Sequence, residues 1–179
     1  MKTGKVFHVS AKYNRQKKQM KTLLLVRHAK SDWPVDVQDF DRPLTDLGMI
    51  NAPKMAHLLK EKSIDIDTFI SSPAKRALHT CELFSEVYQK SYSTDASLYN
   101  PRERHFENLI FGLDHSINSV ALFSHNNGIS NFANSLTDEI VNLPTCGVVG
   151  YQIDCDDWSD FATAQKTFLY FYSPKNFSK

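Results

Sequence analysis

Cysteine is scarce in this sequence, which contains only Cys81, Cys146 and Cys155 in 179 residues. Their number is odd, and no two of them have the CxxC spacing that is typical of a metal-ligand pair. We therefore expect neither a disulfide scaffold nor a cysteine-based metal site. This cysteine usage suits a reducing compartment.

Long apolar runs are also missing. No stretch approaches the roughly 20 apolar residues that are needed to span a bilayer. The N-terminus carries lysines but lacks the apolar stretch of a secretory signal. From these absences we expect no membrane partner and a cytoplasmic location.

Acidic residues are absent from residues 1–19, which contain six Lys or Arg. The rest of the chain holds 15 Lys or Arg against 20 Asp or Glu, and this acidic body argues against nucleic acid as the main partner. We predict a basic, flexible extension over residues 1–19 and a single domain over residues 20–179. An alternative is that Met20 is the true first residue. The oligomeric state stays open, with a monomer as the default expectation.

Short apolar runs alternate with amphipathic segments along the rest of the chain. Residues 23–26, 67–71 and 119–123 predict strands, and residues 97–99 predict a further short one. Residues 147–153 and 167–172 predict an antiparallel hairpin that closes the sheet. The alternation predicts an α/β fold with three α/β/α layers and a mostly parallel sheet.

Three of the predicted helices begin at recognisable residues. Thr45 can cap the first, although Pro53 inside its apolar pattern implies a kink or a later start. Ser72-Pro73 predicts an N-cap followed by proline at the first helical position. Pro101 predicts the start of a third helix.

Charged and polar side chains follow three of the predicted strands. Ligands of α/β sheets bind at the carboxyl ends of the strands, so these side chains are expected to converge. Two histidines and two arginines among them suit a phosphate group. The candidates are Arg27 and His28 after the first strand, Ser72 and Arg76 after the second, and His125 and Asn126 after a later one.

The remaining histidines and one acidic cluster are assigned structural roles. Asp154, Asp156 and Asp157 indicate a solvated turn, and no nearby histidine supports a metal site there. We expect no metal and no cofactor. The histidines set aside in this way are His57, His79, His105 and His115.

Five sequence blocks, in order, resemble the histidine phosphatase superfamily. LVRHAKSDW at 25–33 resembles its opening signature, and the AKSDW part resembles the SixA-type phosphohistidine phosphatase branch. The resemblance covers about residues 20–173 and implies a phosphoglycerate mutase-like fold. The later blocks are DRPLT at 41–45 with Gly48, SSP at 71–73 with Arg76 and Thr80, SHN at 124–126, and LPTCG at 143–147.

The resemblance implies a metal-independent phosphatase with His28 as the nucleophile. Arg27, Arg76 and His125 would complete the phosphate pocket, and Arg42 would be an extra phosphate contact. The chemistry agrees, because neutral imidazole is an available nucleophile and guanidinium groups bind phosphoryl oxygens in bidentate fashion. His125, if protonated, would add further positive charge. Ser72 and Asn126 are expected to bind substrate.

Two departures from the family pattern affect the expected chemistry. Ser124 and Asn127 stand where many members have Gly-His-Asn-Pro, beside the histidine and not in its role. Asn100 stands where many relatives place a glutamate that protonates the leaving oxygen. If a general acid is present after all, the sequence offers Glu103, Glu107 and Asp32.

The expected substrate is a protein that carries phosphohistidine, because no insertion is available to form a lid over the pocket. A phosphatase of small sugar or nucleotide phosphates is the first alternative. A phosphoglycerate-type mutase is less favoured, since returning the phosphate requires a covered site. A non-catalytic phosphate-binding regulator is disfavoured because a binder has no need of a nucleophile.

Overall fold

The structure is a computed structural model, and it describes residues 20–178. The basic segment predicted over residues 1–19 lies outside the described residues. Six strands form one sheet in the order β3-β2-β4-β1-β5-β6. The strands are β1 (Lys21–Arg27), β2 (Thr68–Ser71), β3 (Tyr92–Thr94), β4 (Ser119–Ser124), β5 (Val148–Ile153) and β6 (Lys166–Tyr172). The helices are α1 (Asp46–Glu61), α2 (Lys75–Tyr88), α3 (Glu103–Phe111) and α4 (Gly128–Leu136).

The sheet is parallel from β3 to β1 and antiparallel beyond it. β1 pairs in parallel with β4, and β2 pairs in parallel with β4 and with β3. β5 is antiparallel to β1, and β6 is antiparallel to β5. The predicted mostly parallel α/β sheet with a closing hairpin is therefore confirmed. The hairpin connection spans residues 154–165 and includes a short 3-10 helix, Trp158–Asp160, where the sequence suggested a simple turn.

β1 is apolar on both faces because helices cover both faces of the sheet. Leu24 and Val26 pack in one core with side chains of α1 and α2, among them Met55 and Phe84. Leu23 and Leu25 pack in the opposite core with side chains of α3 and α4. A strand in this position has no solvated face, which explains its continuous apolar run. The three α/β/α layers are those expected from the sequence.

Lys21 is a charged exception in this apolar strand, and it is fully buried at the start of β1. Its Nζ donates to the backbone oxygens of His115 and Ile117, at 2.6 and 2.8 Å, and to Asn118 Oδ1 at 3.0 Å. Three acceptors match the three N–H donors of an ammonium group. The contacts fasten the loop before β4 to the start of β1.

Two sequence-based assignments between α2 and α3 are wrong. The strand expected at residues 97–99 is a 3-10 helix, Ala96–Leu98, and the short strand lies earlier, at Tyr92–Thr94. The cause is a local cap, because the Asp95 side chain accepts from the Ser97 N–H and turns the chain. The following helix, expected from Pro101, begins at Glu103.

The helix after β2 also begins later than Ser72-Pro73 predicts. Its N-cap is Ala74, and the first helical residue is Lys75. The Ser72 hydroxyl accepts from the Ala74 N–H at 3.3 Å, and its Oγ also lies 2.8 Å from His125 Nε2.

Thr45 does cap α1, with its Oγ1 accepting from the Gly48 N–H. α1 begins directly after this cap and continues through Pro53, so the later start that Pro53 suggested is not found.

The three cysteines are all buried as thiols. Burial raises the pKa of Cys81 above its usual range and the pKa of Cys146 to about 12. Among the helices of residues 20–178, none combines the length and the apolarity required to cross a bilayer.

Candidate active site

The carboxyl ends of β1, β2 and β4 meet at one edge of the sheet. In the parallel register, Arg27 pairs with Ser124 and Ser71 pairs with Phe123. The ladder continues one residue further, because His28 N donates to Ser124 O at 3.1 Å and Ser72 N donates to Phe123 O at 2.9 Å. His28, Ser72 and His125, the first residues after the three strands, therefore lie at the same level.

A cavity of about 550 Å³ opens at this edge, a volume within the range of small-ligand sites. The predicted Arg27, His28, Arg42, Arg76, His125 and Asn126 all line it. Its other lining residues are Lys30, Ser31, Asp39, Tyr99, Asn100 and Thr145.

His28 is held so that one particular ring nitrogen is available. Its Nδ1 lies 2.7 Å from the backbone oxygen of Ala29. A carbonyl oxygen can only accept, so Nδ1 carries the proton and Nε2 carries the lone pair of a neutral ring. The Ala29 N–H donates in turn to Thr80 Oγ1 at 3.0 Å, which fixes the residue that holds the ring. This tautomer gives Nε2 the lone pair that a nitrogen nucleophile requires.

The electrostatics of the site keep His28 neutral. Burial is the largest effect on its pKa and lowers it, and the hydrogen bond to Ala29 is the next largest and opposes burial. The charges of Arg76, Arg27 and Arg42 lower the pKa further, to about 4. At neutral pH the ring is therefore unprotonated at Nε2. Arg76 Nε donates to this nitrogen at 3.3 Å, so a guanidinium group lies directly beside the lone pair.

Arg76 is almost completely buried in the first turn of α2, as the sequence predicted. Its Nη2 donates to Asp39 Oδ2 at 3.0 Å, and its Nη1 donates to the Asp39 backbone oxygen. Thr80 Oγ1 donates to the Arg76 backbone oxygen at 2.7 Å. The guanidinium is thereby fixed next to His28.

Arg27 is the last residue of β1 and reaches the same cavity. Its Nη1 donates to the Leu143 backbone oxygen at 2.8 Å, and burial lowers the pKa of its guanidinium. Its Nε is buried and has no hydrogen-bond partner among the described residues. A buried N–H without a partner is costly, so the site favours a ligand rich in acceptor oxygens.

His125 lies across the cavity from His28, with 5.2 Å between the ring centroids. Burial, followed by the charge of Arg76, lowers its pKa to about 3, so the ring is neutral at neutral pH. The extra positive charge that the sequence suggested for His125 is therefore not present in this arrangement. Its Nδ1 is the second buried, unpartnered nitrogen of the pocket in the described part of the chain.

Asp39 is a pocket residue that the sequence did not reveal. It lies in a 3-10 helix, Asp39–Asp41, between β1 and α1. Its carboxylate accepts from Arg76, from Arg42 at 3.1 Å and from the Tyr99 hydroxyl at 2.9 Å. Burial would raise its pKa, but these three hydrogen bonds outweigh burial and lower it to about 2. The spacing of three residues to Arg42 is the one signal that could have indicated it.

Arg42 lines the pocket as predicted, in a position that its own loop determines. The guanidinium lies 4.2 Å from the Trp33 ring centroid, in a cation–π contact. Its Nε donates to the Asp32 backbone oxygen at 2.9 Å, and its Nη2 donates to Ser31 Oγ at 2.9 Å. Each terminal nitrogen retains a second hydrogen for an anion.

The two residues predicted to bind substrate differ in placement. Asn126 lines the pocket, where its Oδ1 accepts from Ser130 Oγ at 2.6 Å. Ser72 is fully buried and lies behind His125, so it has no place on the cavity wall. Its hydroxyl acts on the ring of His125 and not on the cavity itself.

The candidate general acids do not lie in the pocket. Glu103, Glu107 and Asp32 are absent from its wall, and Asn100 is present there. Asn100 has a φ of 51°, a left-handed conformation that asparagine tolerates better than most residues. Of the described residues that line the pocket, Asp39 alone carries a carboxyl group.

No group of three or more His, Cys, Asp or Glu side chains in residues 20–178 is arranged to hold a metal ion. The groups that line this pocket include two neutral imidazoles, three guanidinium groups, one ionised carboxylate, the Lys30 amine and the Tyr99 hydroxyl. Such a set can bind a phosphoryl group and present a nitrogen nucleophile to it.

Several known proteins are similar to this chain in sequence. The sequence model of the histidine phosphatase superfamily (branch 1) matches residues 23–136. An uncharacterized chloroplastic protein of Arabidopsis thaliana is 27% identical over 150 residues, which is 77% of this chain and 69% of that protein. A 2,3-bisphosphoglycerate-dependent phosphoglycerate mutase of Thermoplasma acidophilum is 39% identical over 84 residues, 44% of this chain but only 40% of the mutase.

Among solved structures, the protein histidine phosphatase SixA complexed with tungstate has the same fold. The TM-score is 0.76 at 22% identity, and the match covers 87% of this chain and 98% of that one.

Proposed function

Because the chain belongs to the histidine phosphatase superfamily, we propose that it hydrolyses phosphohistidine on other proteins, using His28 as the nucleophile. The observation that carries the nucleophile is the tautomer of His28, whose Nδ1–H donates to Ala29 O and whose Nε2 is unprotonated. The observation that carries the substrate class is that no carboxylic acid among the described pocket residues keeps its proton at neutral pH.

The first step forms a bond between phosphorus and His28 Nε2 and breaks the phosphorus–nitrogen bond of the substrate. The electron pair of the broken bond leaves with the substrate imidazole, which takes up a proton from solvent. The His28 ring becomes a phosphorylated imidazolium, and its Nδ1–H remains bonded to Ala29 O. In the second step the oxygen of a water molecule attacks phosphorus, and the bond between phosphorus and Nε2 breaks with its electron pair returning to His28. The water gives up a proton to solvent, and phosphate and neutral His28 result.

The pocket supports both steps by placing positive charge and donors around the transferring group. Arg76 lies next to His28 Nε2, while Arg27 and His125 each have one buried nitrogen that no group within residues 20–178 binds. The equatorial oxygens of the group carry its negative charge and can accept from these donors. Donors already held in place stabilise the transition state without reorganisation.

The leaving group must depart without protonation by the pocket. Asp39 has a pKa of about 2, so its carboxyl is ionised at neutral pH and has no proton to give. Asn100 cannot supply an acidic proton. An alkoxide is a poor leaving group under these conditions, whereas an imidazole that is protonated from solvent leaves readily. This difference favours phosphohistidine over sugar and serine phosphates.

The test is a parallel assay on a histidine-phosphorylated carrier protein, the free phosphohistidine amino acid, and a panel of sugar and nucleotide phosphates. We expect kcat/KM to be highest for the phosphorylated protein. Comparison with the free amino acid separates recognition of the bond from recognition of the protein around it. The His28→Ala variant, run in parallel, measures any contaminating activity.

The alternative is a small-metabolite phosphatase, and the partial match to a phosphoglycerate mutase is the observation that favours it. Fast turnover of one sugar phosphate, with slow turnover of the phosphorylated protein, would contradict the proposed substrate. The cytoplasmic location, the monomeric state and the flexible extension stay predictions.

A further inference from the structure

Ser72 and His125 form a buried pair behind the pocket. Ser72 is fully buried, His125 is 3% exposed, and 2.8 Å separates Ser72 Oγ from His125 Nε2. Either atom can donate in this bond, because a hydroxyl both donates and accepts and a neutral imidazole has one N–H and one lone pair. The direction of the bond therefore decides which ring nitrogen carries the proton.

The other contacts of the pair distinguish the two directions. Ser72 Oγ already accepts from the Ala74 N–H at 3.3 Å. If His125 Nε2 also donated to it, the serine hydrogen would have no acceptor among the described residues, and His125 Nδ1 would be a buried lone pair without a donor. If Ser72 donates to Nε2, its hydroxyl is fully used and Nδ1 carries the proton. The second direction leaves fewer buried polar groups unsatisfied.

We propose that Ser72 is a positioning residue, which holds His125 as the Nδ1–H tautomer and thereby gives the pocket a hydrogen-bond donor for a phosphoryl oxygen. The proposal rests on the proposed phosphatase function. His125 lines the cavity, its Nε2 is taken by Ser72, and its Nδ1 is the buried nitrogen that has no partner in the described chain. The opposite tautomer would present a lone pair to an anionic oxygen and repel it.

The charge state of His125 explains why a partner must determine which ring nitrogen carries the proton. Burial and the nearby Arg76 hold its pKa at about 3, so the ring has a single N–H to place at neutral pH. A protonated ring would donate from both nitrogens and would not need Ser72. Ser72 therefore fixes the tautomer of His125, as the Ala29 carbonyl fixes the tautomer of His28. The hydrogen-bond directions are opposite, because the serine donates to its ring and the carbonyl accepts from its ring.

The experiment is long-range nitrogen–proton NMR of the full chain with ¹⁵N-labelled histidine, at neutral pH and without substrate. The His125→Gln spectrum identifies the His125 signals. We expect Nδ1 to be protonated and Nε2 unprotonated in the wild type. In Ser72→Ala we expect the proton to be shared between the two nitrogens, and kcat to fall about 10- to 100-fold, the range known for removing the hydrogen-bond partner that orients a metal-bound histidine.

Ser71→Ala is the matched control. Ser71 is equally buried, and its hydroxyl donates to the Ser72 backbone oxygen at 2.8 Å without contacting His125. We expect the wild-type tautomer and kcat within a few-fold in this variant. An Nε2-protonated His125 in the wild type would overturn the proposal whatever the activity is, and so would an unchanged tautomer in Ser72→Ala.

The wild-type spectrum decides the proposal even if Ser72→Ala does not fold. The proposed function fails separately, because a correct tautomer in a protein that hydrolyses no phosphohistidine would leave this inference standing and remove the proposed substrate class.

Discussion

β1 and β4 are neighbouring parallel strands, and each is followed by a buried histidine. After β1 the chain takes a long path, residues 28–45, before α1 begins, whereas only residues 125–127 separate β4 from α4. The long segment brings Ser31, Asp39 and Arg42 to the pocket. The short one contributes little more than the His125 ring and Asn126.

The two rings also differ in what holds them. His28 donates to a backbone oxygen, which can only accept, and its other nitrogen becomes a nucleophile. His125 is bonded to a hydroxyl, which can donate, and its other nitrogen can become a donor. Two side chains of one chemical type can therefore have different functions because their partners differ.

The largest expected effect concerns the first of these rings. His28→Ala should lower turnover by at least about 10⁴-fold, because no other group supplies the nitrogen nucleophile. The circular dichroism spectrum and the unfolding midpoint should change little. Brief incubation with labelled substrate, quenched without acid, should show phosphate on His28 in the wild type. Label on another residue would contradict the assignment.

The leaving group provides the second test. Because the pocket offers no acid, kcat/KM should fall steeply as the pKa of the leaving group rises across a series of aryl and alkyl phosphates. Alkyl esters should react about 10²- to 10⁴-fold more slowly than nitrophenyl phosphate, the range that general acid catalysis typically supplies. Asn100→Glu should flatten the slope. A flat plot for the wild type would mean that a general acid exists.

The third test concerns the long segment after β1. Asp39→Asn removes the charge that holds Arg76 and Arg42, and we expect kcat/KM to fall roughly tenfold, since hydrogen bonds to charged groups contribute about 1.5–3 kcal/mol and this carboxylate is partly exposed. Asp41→Asn, in the same 3-10 helix but exposed, is the control and should be close to wild type. Equal activity of both variants would show that the long segment does not position the guanidinium groups.

These tests also separate what the sequence could predict from what it could not. β1 and β4 were predictable because helices cover both faces of the sheet and force continuous apolar runs. His28, Arg76 and His125 were predictable because they follow buried strands. Asp39 and Tyr99 were not, since they lie in irregular segments where no period relates them to the pocket.

Local hydrogen bonds account for the errors. Residues 97–99 have the composition of a strand, but the Asp95 side chain caps a 3-10 turn there. Serine is a common N-cap residue, but the hydroxyl of Ser72 also binds the ring of a histidine 53 residues away. A long-range contact of this kind has no local sequence signal.

The fourth test compares the two histidines through stability. Each has a folded-state pKa, about 4 and about 3, that lies below the unfolded value near 6.5. The unfolded chain therefore binds more protons as the pH falls from 6.5 to about 4, and the free energy of unfolding should decrease over this window. Urea denaturation across the window should show a smaller decrease in the His28→Ala/His125→Ala double variant. Asp39 affects stability below this pH window, because its contribution to the free energy of unfolding is lost only as the pH falls from 3.8 towards 2.

The smallest effect is expected for residues 1–19, which belong to neither of the two segments compared above. Deleting residues 1–19 should change turnover of a small substrate by no more than a few-fold and should leave the melting temperature close to that of the full chain. A large fall in melting temperature would show that the basic segment packs on the domain.

The burial of the three cysteines has a consequence for chemical resistance. Phosphatases that use a thiolate nucleophile are vulnerable to peroxide and alkylating agents, because an exposed thiolate is the reactive species. Here the proposed nucleophile is a nitrogen, and burial keeps Cys81 and Cys146 protonated and out of contact with solvent. Oxidants that silence thiolate enzymes would therefore leave this active site intact as long as the chain remains folded.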